Sequence, residues 1–297
     1  MTHARRAKTP TVRVAVRRRT AEGIESGRDD VVVEEPMEMR VGAAGAPDDE
    51  LTPLAVTMRT PGHDFELATG FVISEGVASS PADIRGVAYC GLPPDLQEYN
   101  VVTVRLGQAP DLDRHRRNSY MTSSCGVCGK ASIDAVEVAC HRRPVSEPVS
   151  PAVIVGLTEG LGEGQRWFAT TGGLHAAGLF DLSGTPLVVR EDVGRHNAVD
   201  KVIGWAAMAG ALPADHRVLV VSGRASFEIV QKAAVAGIAT VVAVSAPSSL
   251  AIDAARKLGV TLVGFARGDR FTAYAGAVGG VGEATATVEI NPDRTLP

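Results

Sequence analysis

The sequence has no apolar run long enough to cross a bilayer. Its basic opening, Thr2 to Arg19, lacks the continuous apolar stretch of a secretory signal, so Arg5-Arg6 does not read as a twin-arginine export signal. These absences point to a cytoplasmic protein. Cysteine is scarce, with four in 297 residues. That is too few for a disulfide framework, so a close pair of cysteines reads as metal-binding or catalytic. The formal net charge is −4, which argues against a general nucleic-acid binder. The charge is uneven, however. Arg5, Arg6, Lys8, Arg13, Arg17, Arg18 and Arg19 crowd the first twenty residues, and residues 1–24 read as a solvated, disordered basic tail rather than a docking arm.

A hydrophobic content of 45% and a charged content of 22% suit a globular chain of one large or two medium domains. Val31–Glu35, Met37–Val41 and Leu54–Arg59 read as strands. Pro61-Gly62-His63-Asp64 opens a helix over Phe65–Ser74, with Phe65, Ala68, Phe71 and Val72 on its buried face. Val87–Cys90 and Asn100–Leu106 are further strands, and Asp111–Met121 is a polar, basic approach to Cys125. Pro144 and Pro148 mark a boundary, giving an N-terminal α+β domain over 25–148 and an α/β domain over 149–274. The second part alternates. Ala152–Leu161 is a helix, and a hairpin joins Ala176–Asp181 to Pro186–Arg190. Helices at Asn197–Ala209, Ser226–Val235 and Ser249–Leu258 then interleave with strands at Val218–Val221, Thr240–Val244 and Thr261–Phe265. Strands alternating with helices imply a layered α/β fold around a parallel-containing sheet. The Gly/Ala-rich end, 275–297, reads as a flexible tail.

The chemistry gathers at a few places. Cys125-Gly126-Val127-Cys128 precedes a helix-like stretch, Ala131–Cys140, with Arg114, Arg116, Arg117 and Lys130 nearby. A helix entrance and neighbouring cations lower a thiol's pKa and favour the reactive thiolate. The pair alone leaves open half of a structural zinc site, or two inert thiols. Cys90 and Cys140 read as buried single thiols. Asp192, Arg195 and His196, in the loop Arg190–Lys201 between a strand and a helix, exceed what a helix cap requires. Ser222-Gly223-Arg224-Ala225-Ser226 follows a strand and opens a helix, an arrangement that attracts anions, although no Walker lysine is present. Ala246–Ser249 repeats this logic, and Phe265-Ala266-Arg267-Gly268-Asp269-Arg270 adds two arginines suited to phosphate. Three such turns at successive strand ends would line one sheet edge and form a site for a large phosphate-bearing ligand. Thr170–Ala177 contributes a Gly-rich loop with His175, a weak signal by itself.

Four segments together resemble the FdhD/NarQ family of formate dehydrogenase accessory sulfurtransferases: Ser123–Gly129, Thr171–Ala177, Glu191–Lys201 and Ser222–Glu228. The resemblance spans roughly residues 50–275, with Glu66–Phe71 and Leu262–Arg267 near its ends. It implies a cytidine-deaminase-like α/β fold with a smaller N-terminal α+β domain, and a homodimer. It also implies a sulfur carrier that receives sulfur from a cysteine desulfurase. The recipient would be the molybdenum (or tungsten) bis(guanine dinucleotide) cofactor of a client formate dehydrogenase. On this resemblance Cys125 carries the persulfide, Cys128 assists, and Phe265–Arg270 matches the cofactor-binding segment. The alternatives are a non-catalytic cofactor chaperone, which needs the anion sites but not the thiols, and a zinc-dependent deaminase. The deaminase motif is incomplete: Ser124 replaces its proline, and no H-x-E precedes the cysteines. A closed zinc site lacks a second ligand pair, so no intrinsic metal is expected. A thioredoxin-like dithiol lacks its βαβ setting.

Overall fold

A computed structural model describes residues 9–91, 97–110 and 143–280. Cys125, Cys128 and Cys140 lie outside the described residues, as does the basic approach to them.

The N-terminal part contains a hairpin of β1 (Thr11–Arg19) and β2 (Ile24–Val32), then β3 (Glu35–Ala43), β4 (Thr52–Arg59), α1 (Asp64–Ser74), β5 (Ile84–Tyr89) and β6 (Val101–Leu106). β3 to β6 form a four-stranded sheet in the order β4-β3-β6-β5. The C-terminal part contains α2 (Pro151–Glu163), α3 (Phe168–Thr171), β7 (His175–Asp181), β8 (Pro186–Asp192), α4 (Arg195–Met208), β9 (Arg217–Val221), α5 (Phe227–Val235), β10 (Thr240–Ala243), α6 (Ser249–Leu258), β11 (Thr261–Arg267) and β12 (Arg270–Ala275). Its six strands run in the order β12-β11-β10-β9-β7-β8. β9, β10 and β11 are parallel, while β7 and β12 run against their neighbours. The fold is thus a mixed α/β architecture with several sheets.

The continuous apolar runs in β9 to β11 are explained by burial of both sheet faces. Along β9, Leu219 and Val221 join a core with α4 and α5, while Val218 and Val220 face Ile154, Leu157 and Leu161 of α2. α1 packs on the four-stranded sheet and against α4. The two helices approach so closely that a Cβ on Gly204 would lie 1.8 Å from Glu66 O, and one on Gly70 1.8 Å from Asp200 O. Glycine removes the side chains that would otherwise hold the backbones apart. The same interface buries an ionic group. Lys232 Nζ lies 2.7 Å from Glu75 Oε1 and 3.0 Å from Asp200 Oδ1, and Ser74 Oγ donates to Asp200 Oδ1 at 2.7 Å.

Several sequence expectations need correction. Thr11–Arg19, read as part of a disordered tail, pairs along its length with β2. Its alternation of Val12, Val14 and Val16 with Arg13 and Arg17 is a strand pattern that the arginine content obscured. The flexible tail expected from residue 275 begins too early: Ala275 ends β12, Val278 is buried, and Gly279 N donates to Val149 O at 2.9 Å. The boundary at 148/149 separates the two sheets but not two cores, because Met37, Leu67 and Val102 share one apolar cluster with Val199, Leu219 and Leu262. On α1, Leu67 is buried where Phe65 and Phe71 are only half-buried, since α1 is covered on two sides. Cys90 is half-buried rather than enclosed, with Sγ 3.6 Å from Gln97 Oε1.

Candidate functional site

The strand directions collect four turns on one sheet edge. β8, β9, β10 and β11 end there and β7 begins there, with His175 opposite Asp192 and Ala177 opposite Val221. Crevices at the carboxyl ends of strands are the usual ligand sites of open α/β sheets.

The turn from β8 to α4 is organised from below by Asp192, which is fully buried. Its Oδ1 accepts from Gly194 N at 2.8 Å and Asn197 Nδ2 at 3.0 Å. Its Oδ2 accepts from Thr60 N at 3.1 Å and pairs with Lys201 Nζ at 2.7 Å. With no exposed surface and both oxygens held by two donors each, this carboxylate shapes the turn from within. Lys201 Nζ also donates to Thr60 O and Glu191 O, both at 3.1 Å. Above this base, Arg195 and His196 occupy the first turn of α4. Arg195 Nε is buried and, among the described residues, meets no hydrogen-bond acceptor. His196 Nε2 lies 3.1 Å from Ser226 Oγ and 2.7 Å from Glu228 Oε2, joining the entrances of α4 and α5. Burial would raise the Glu228 carboxyl, but the His196 hydrogen bond and charge outweigh it and hold the carboxyl below its ordinary value.

Ser222 anchors the next turn. Its N donates to Ala176 O, and its Oγ accepts from Ala176 N, both at 2.9 Å. A Cβ on Gly223 would lie 3.4 Å from His175 Nδ1 and 3.8 Å from Arg195 Cδ, so this glycine lets three turns converge. His175 is held below the usual imidazole range, first by burial and then by the charges of Arg195, His196 and Arg224. Arg195 and Arg224 thus bring positive charge to this turn, with the Asp192 carboxylate opposing them. The turn after β10 is tied in through Ser248 N, which donates to Ala225 O at 3.0 Å.

At the end of β11 the register with β12 breaks between Gly264 and Arg267. Phe265 takes a left-handed φ of 52° and is 49% exposed, an uncommon conformation for a bulky residue. The bulge turns the Phe265 ring outward while Ala266 remains buried. Phe265, Arg267, Arg270 and Ser245 line a cavity of about 340 Å³. Beside it lies a groove of about 960 Å³ bounded by the Gly172–His175 loop, Ser222, the Ala266–Asp269 turn and one face of α2. Val244 and Arg267 line both cavities. The structure thus brings Ser222, Ala266, Arg267, Gly268 and Asp269 to one groove, with Phe265 and Arg270 next door. Gly223 and Arg195 adjoin the groove through His175. Arg224, His196 and Ser226 sit on the neighbouring turn, and Asp192 lies beneath. Among the described residues, Arg224, Arg267 and Arg270 form no ion pair, and no cluster of three or more His, Cys, Asp or Glu residues could hold a metal. Glu228, Val244 and Phe168 escape sequence reasoning. Glu228 stands two residues after the Ser226 cap, and only the fold shows it facing His196.

The family model described as the FdhD/NarQ family matches residues 32–278. The chain belongs to the FdhD/NarQ family. Among its FdhD/NarQ relatives, the sulfur carrier protein FdhD of Mycolicibacterium paratuberculosis is 51% identical, covering 82% of this chain and 89% of the relative. That of Streptomyces coelicolor is 49% identical, covering 87% and 92% respectively. A crystal structure of a Desulfotalea psychrophila protein, provisionally assigned as a formate dehydrogenase accessory protein, superposes with a TM-score of 0.67 at 21% identity. It covers 90% of this chain and 97% of that one, a likeness of fold. The family match begins at residue 32, so most of the β1–β2 hairpin lies outside it.

Proposed function

We propose that this FdhD/NarQ protein is a sulfur carrier acting as a sulfurtransferase. Sulfur arrives from a cysteine desulfurase as a persulfide on Cys125, with Cys128 assisting. It passes to the molybdenum bis(guanine dinucleotide) cofactor, here the substrate rather than a resident group, before a client formate dehydrogenase receives it. The observation that carries this reading is family membership with relatives near 50% identity named sulfur carriers, in a chain that holds Cys125 and Cys128. The edge site supports the second half. A bis-dinucleotide presents pyrophosphates and flat bases, while the edge offers Arg195, Arg224, Arg267 and Arg270, two helix entrances and an outward Phe265. Charge-assisted bonds from guanidinium to phosphate suit such a ligand. The strand order β8-β7-β9-β10-β11, with the last three parallel, is compatible with a cytidine-deaminase-like layering. The incomplete deaminase motif, with Ser124 in place of its proline and no H-x-E before the cysteines, favours carrier over zinc deaminase. A homodimer in the cytoplasm completes the reading. Among the described residues no helix is long and apolar enough to cross a membrane.

The test is complementation. A strain deprived of its own carrier should regain formate dehydrogenase activity with the wild-type chain and not with Cys125→Ala. Full activity with Cys125→Ala, in a variant that still binds cofactor, would leave the non-catalytic chaperone in its place.

A further inference from the structure

β1 and β2 form a two-stranded ribbon whose two edges differ. The main-chain bonding follows from its ends. At the turn Thr20 N donates to Gly23 O at 2.8 Å and Gly23 N to Thr20 O at 3.3 Å. At the open end Val33 N donates to Pro10 O at 2.8 Å. Bonded pairs alternate with non-bonded ones along an antiparallel ladder. The non-bonded pairs are therefore Arg13, Ala15, Arg17 and Arg19 with Asp30, Arg28, Ser26 and Ile24. These residues turn their N–H and C=O groups outward. On β2 the ribbon's own side chains cover the edge: Asp30 N donates to Asp29 Oδ1 and Arg28 O accepts from Arg18 Nη2, both at 3.2 Å. On β1, Thr9 Oγ1 donates to Thr11 O at 2.9 Å, and beyond it the edge is open. Among the described residues, no hydrogen bond reaches the outward groups of Arg13, Ala15, Arg17 or Arg19, and no third strand lies beside them. The ribbon is anchored at β2, where a Cβ on Gly173 would lie 3.1 Å from Val32 Cγ1. The preceding helix, α3, is fixed by Glu191, whose Oε2 accepts from Trp167 N at 2.9 Å and Oε1 from Phe168 N at 2.7 Å.

The outward residues share one face, because side chains alternate with the same period as the bonds. That face is basic and, along β1, exposed. Arg13 pairs with Asp30 at 3.6 Å, while Arg17, Arg19 and Arg28 form no ion pair among the described residues. Val12, Val14 and Val16 are half-buried on the other face. Charged side chains commonly guard a free edge, and here the guard has one sign. A second β1 laid alongside would set arginine against arginine, which is destabilising, so the edge rejects another copy of itself. A polypeptide with carboxylates on alternate residues would meet Arg17 and Arg19 instead. Nucleic acid or an anionic lipid would use the charge but leave the alternating main-chain donors and acceptors without partners.

We infer that the β1 edge is a docking site for an extended acidic segment of a partner protein, which adds to the ribbon as a third strand. Its carboxylates lie beside Arg17 and Arg19, and its intervening residues on the side of Val14 and Val16. In strand addition, main-chain bonds give affinity and alternate side chains give selectivity. The edge precedes residue 32, where the family match begins, and the inference is independent of the sulfur chemistry.

The probe is a capped, fluorescently labelled peptide that alternates glutamate with valine, titrated with the full chain and followed by anisotropy. Binding is expected, weakening as salt rises, together with slower amide hydrogen exchange across Thr11–Arg19. Lysine in place of glutamate in the peptide should abolish binding. So should N-methylation throughout the peptide, which keeps its charges but blocks the ladder. Ala15→Pro removes an outward N–H and sets a ring in the path of the added strand, at a position that costs the ribbon no ladder bond. It should abolish binding and leave the circular dichroism spectrum unchanged. Arg17→Glu combined with Arg19→Glu should weaken the acidic peptide about tenfold or more and create binding of the lysine peptide, a reversal that a merely structural role would not produce. Absence of binding to wild type would overturn the inference. So would undiminished binding in Ala15→Pro or by the N-methylated peptide, which reduces the contact to charge alone. A changed oligomeric mass in Ala15→Pro would make the edge a self-interface, and tighter binding of an RNA oligonucleotide or a phosphatidylglycerol vesicle than of the peptide would change the class of partner; either result refutes the assignment.

Discussion

Replacing Asp192 with Asn would change one oxygen for an NH₂ group and leave the shape intact. All four groups around the carboxylate are donors: Gly194 N, Asn197 Nδ2, Thr60 N and Lys201 Nζ. Whichever way an amide turns, its NH₂ must face two of them. Two hydrogen bonds are lost, two donor–donor contacts appear, and Lys201, 1% exposed, keeps a buried charge without its counter-ion. Breaking one partner of a buried pair costs about 3–5 kcal/mol. The carbonyls of Thr60 and Glu191 continue to accept from Lys201, so a loss of about 3 kcal/mol is expected, a large part of a typical total stability of about 5–15 kcal/mol. Urea unfolding followed by circular dichroism should show the midpoint fall. Because Asp192 fixes the turn that carries Arg195 and His196, GDP affinity should fall as well, even where the protein is still folded. A second variant isolates the cause. Asp192→Asn combined with Lys201→Met removes both charges and should recover much of the stability, but not the GDP affinity. A single variant within about 1 kcal/mol of wild type, or a double variant no more stable than the single one, would refute the reasoning.

Gly204→Ala should destabilise by about 2 kcal/mol or more despite alanine's better helix propensity, because its Cβ would meet Glu66 O at 1.8 Å and force α1 and α4 apart; a denaturation midpoint at or above wild type would contradict the close packing. Burial would raise the Glu66 carboxyl, but hydrogen bonds from Arg190 and His63 and their charges prevail and hold it at about 2. Its stabilising contribution is therefore complete above its ordinary value of 4.5 and disappears as pH falls towards 2. Glu66→Gln should flatten the acid loss of stability across that window, and an unaltered acid unfolding profile would remove Glu66 from the account. Arg270→Ala should weaken GDP binding by about ten- to a hundredfold, the worth of a charge-assisted hydrogen bond, and leave persulfide loading of Cys125 intact; calorimetry and mass spectrometry read the two halves separately.

The alternating α/β order of residues 149–274 was legible because buried strands such as Val218–Val221 are short apolar runs between capped helices. The helix at Ser249–Leu258 matches its sequence reading residue for residue, bounded by the Ser248 cap and Gly259 at a φ of 73°. β12 was not legible: Arg270 and Thr272 are polar on an edge strand, and the Gly268 turn looked like part of a ligand loop. β1 was hidden in the same way, its exposed side carrying arginines. α3 has no periodicity to read, since its stability comes from Glu191, more than twenty residues later. The site showed itself unevenly. Strand-end turns rich in Gly, Ser and Arg read as an anion site by composition, and the fold brings Ser222, Arg267 and Asp269 to one groove. Asp192 looked like a ligand residue because a lone carboxylate in a polar loop has the same sequence appearance whether it meets a ligand or a buried lysine. Phe168 and Glu159 come to one groove only through the fold.

The central claim, sulfur carriage on Cys125, is tested most directly by intact-protein and peptide mass spectrometry after incubation with a cysteine desulfurase and cysteine. The expected result is a gain of the mass of one sulfur atom, removed by reductant and located on the peptide containing Cys125. It should be absent in Cys125→Ala and retained in Cys90→Ala. No gain of mass under conditions that load another carrier, or a sulfur that remains when Cys125 is replaced, would contradict the account.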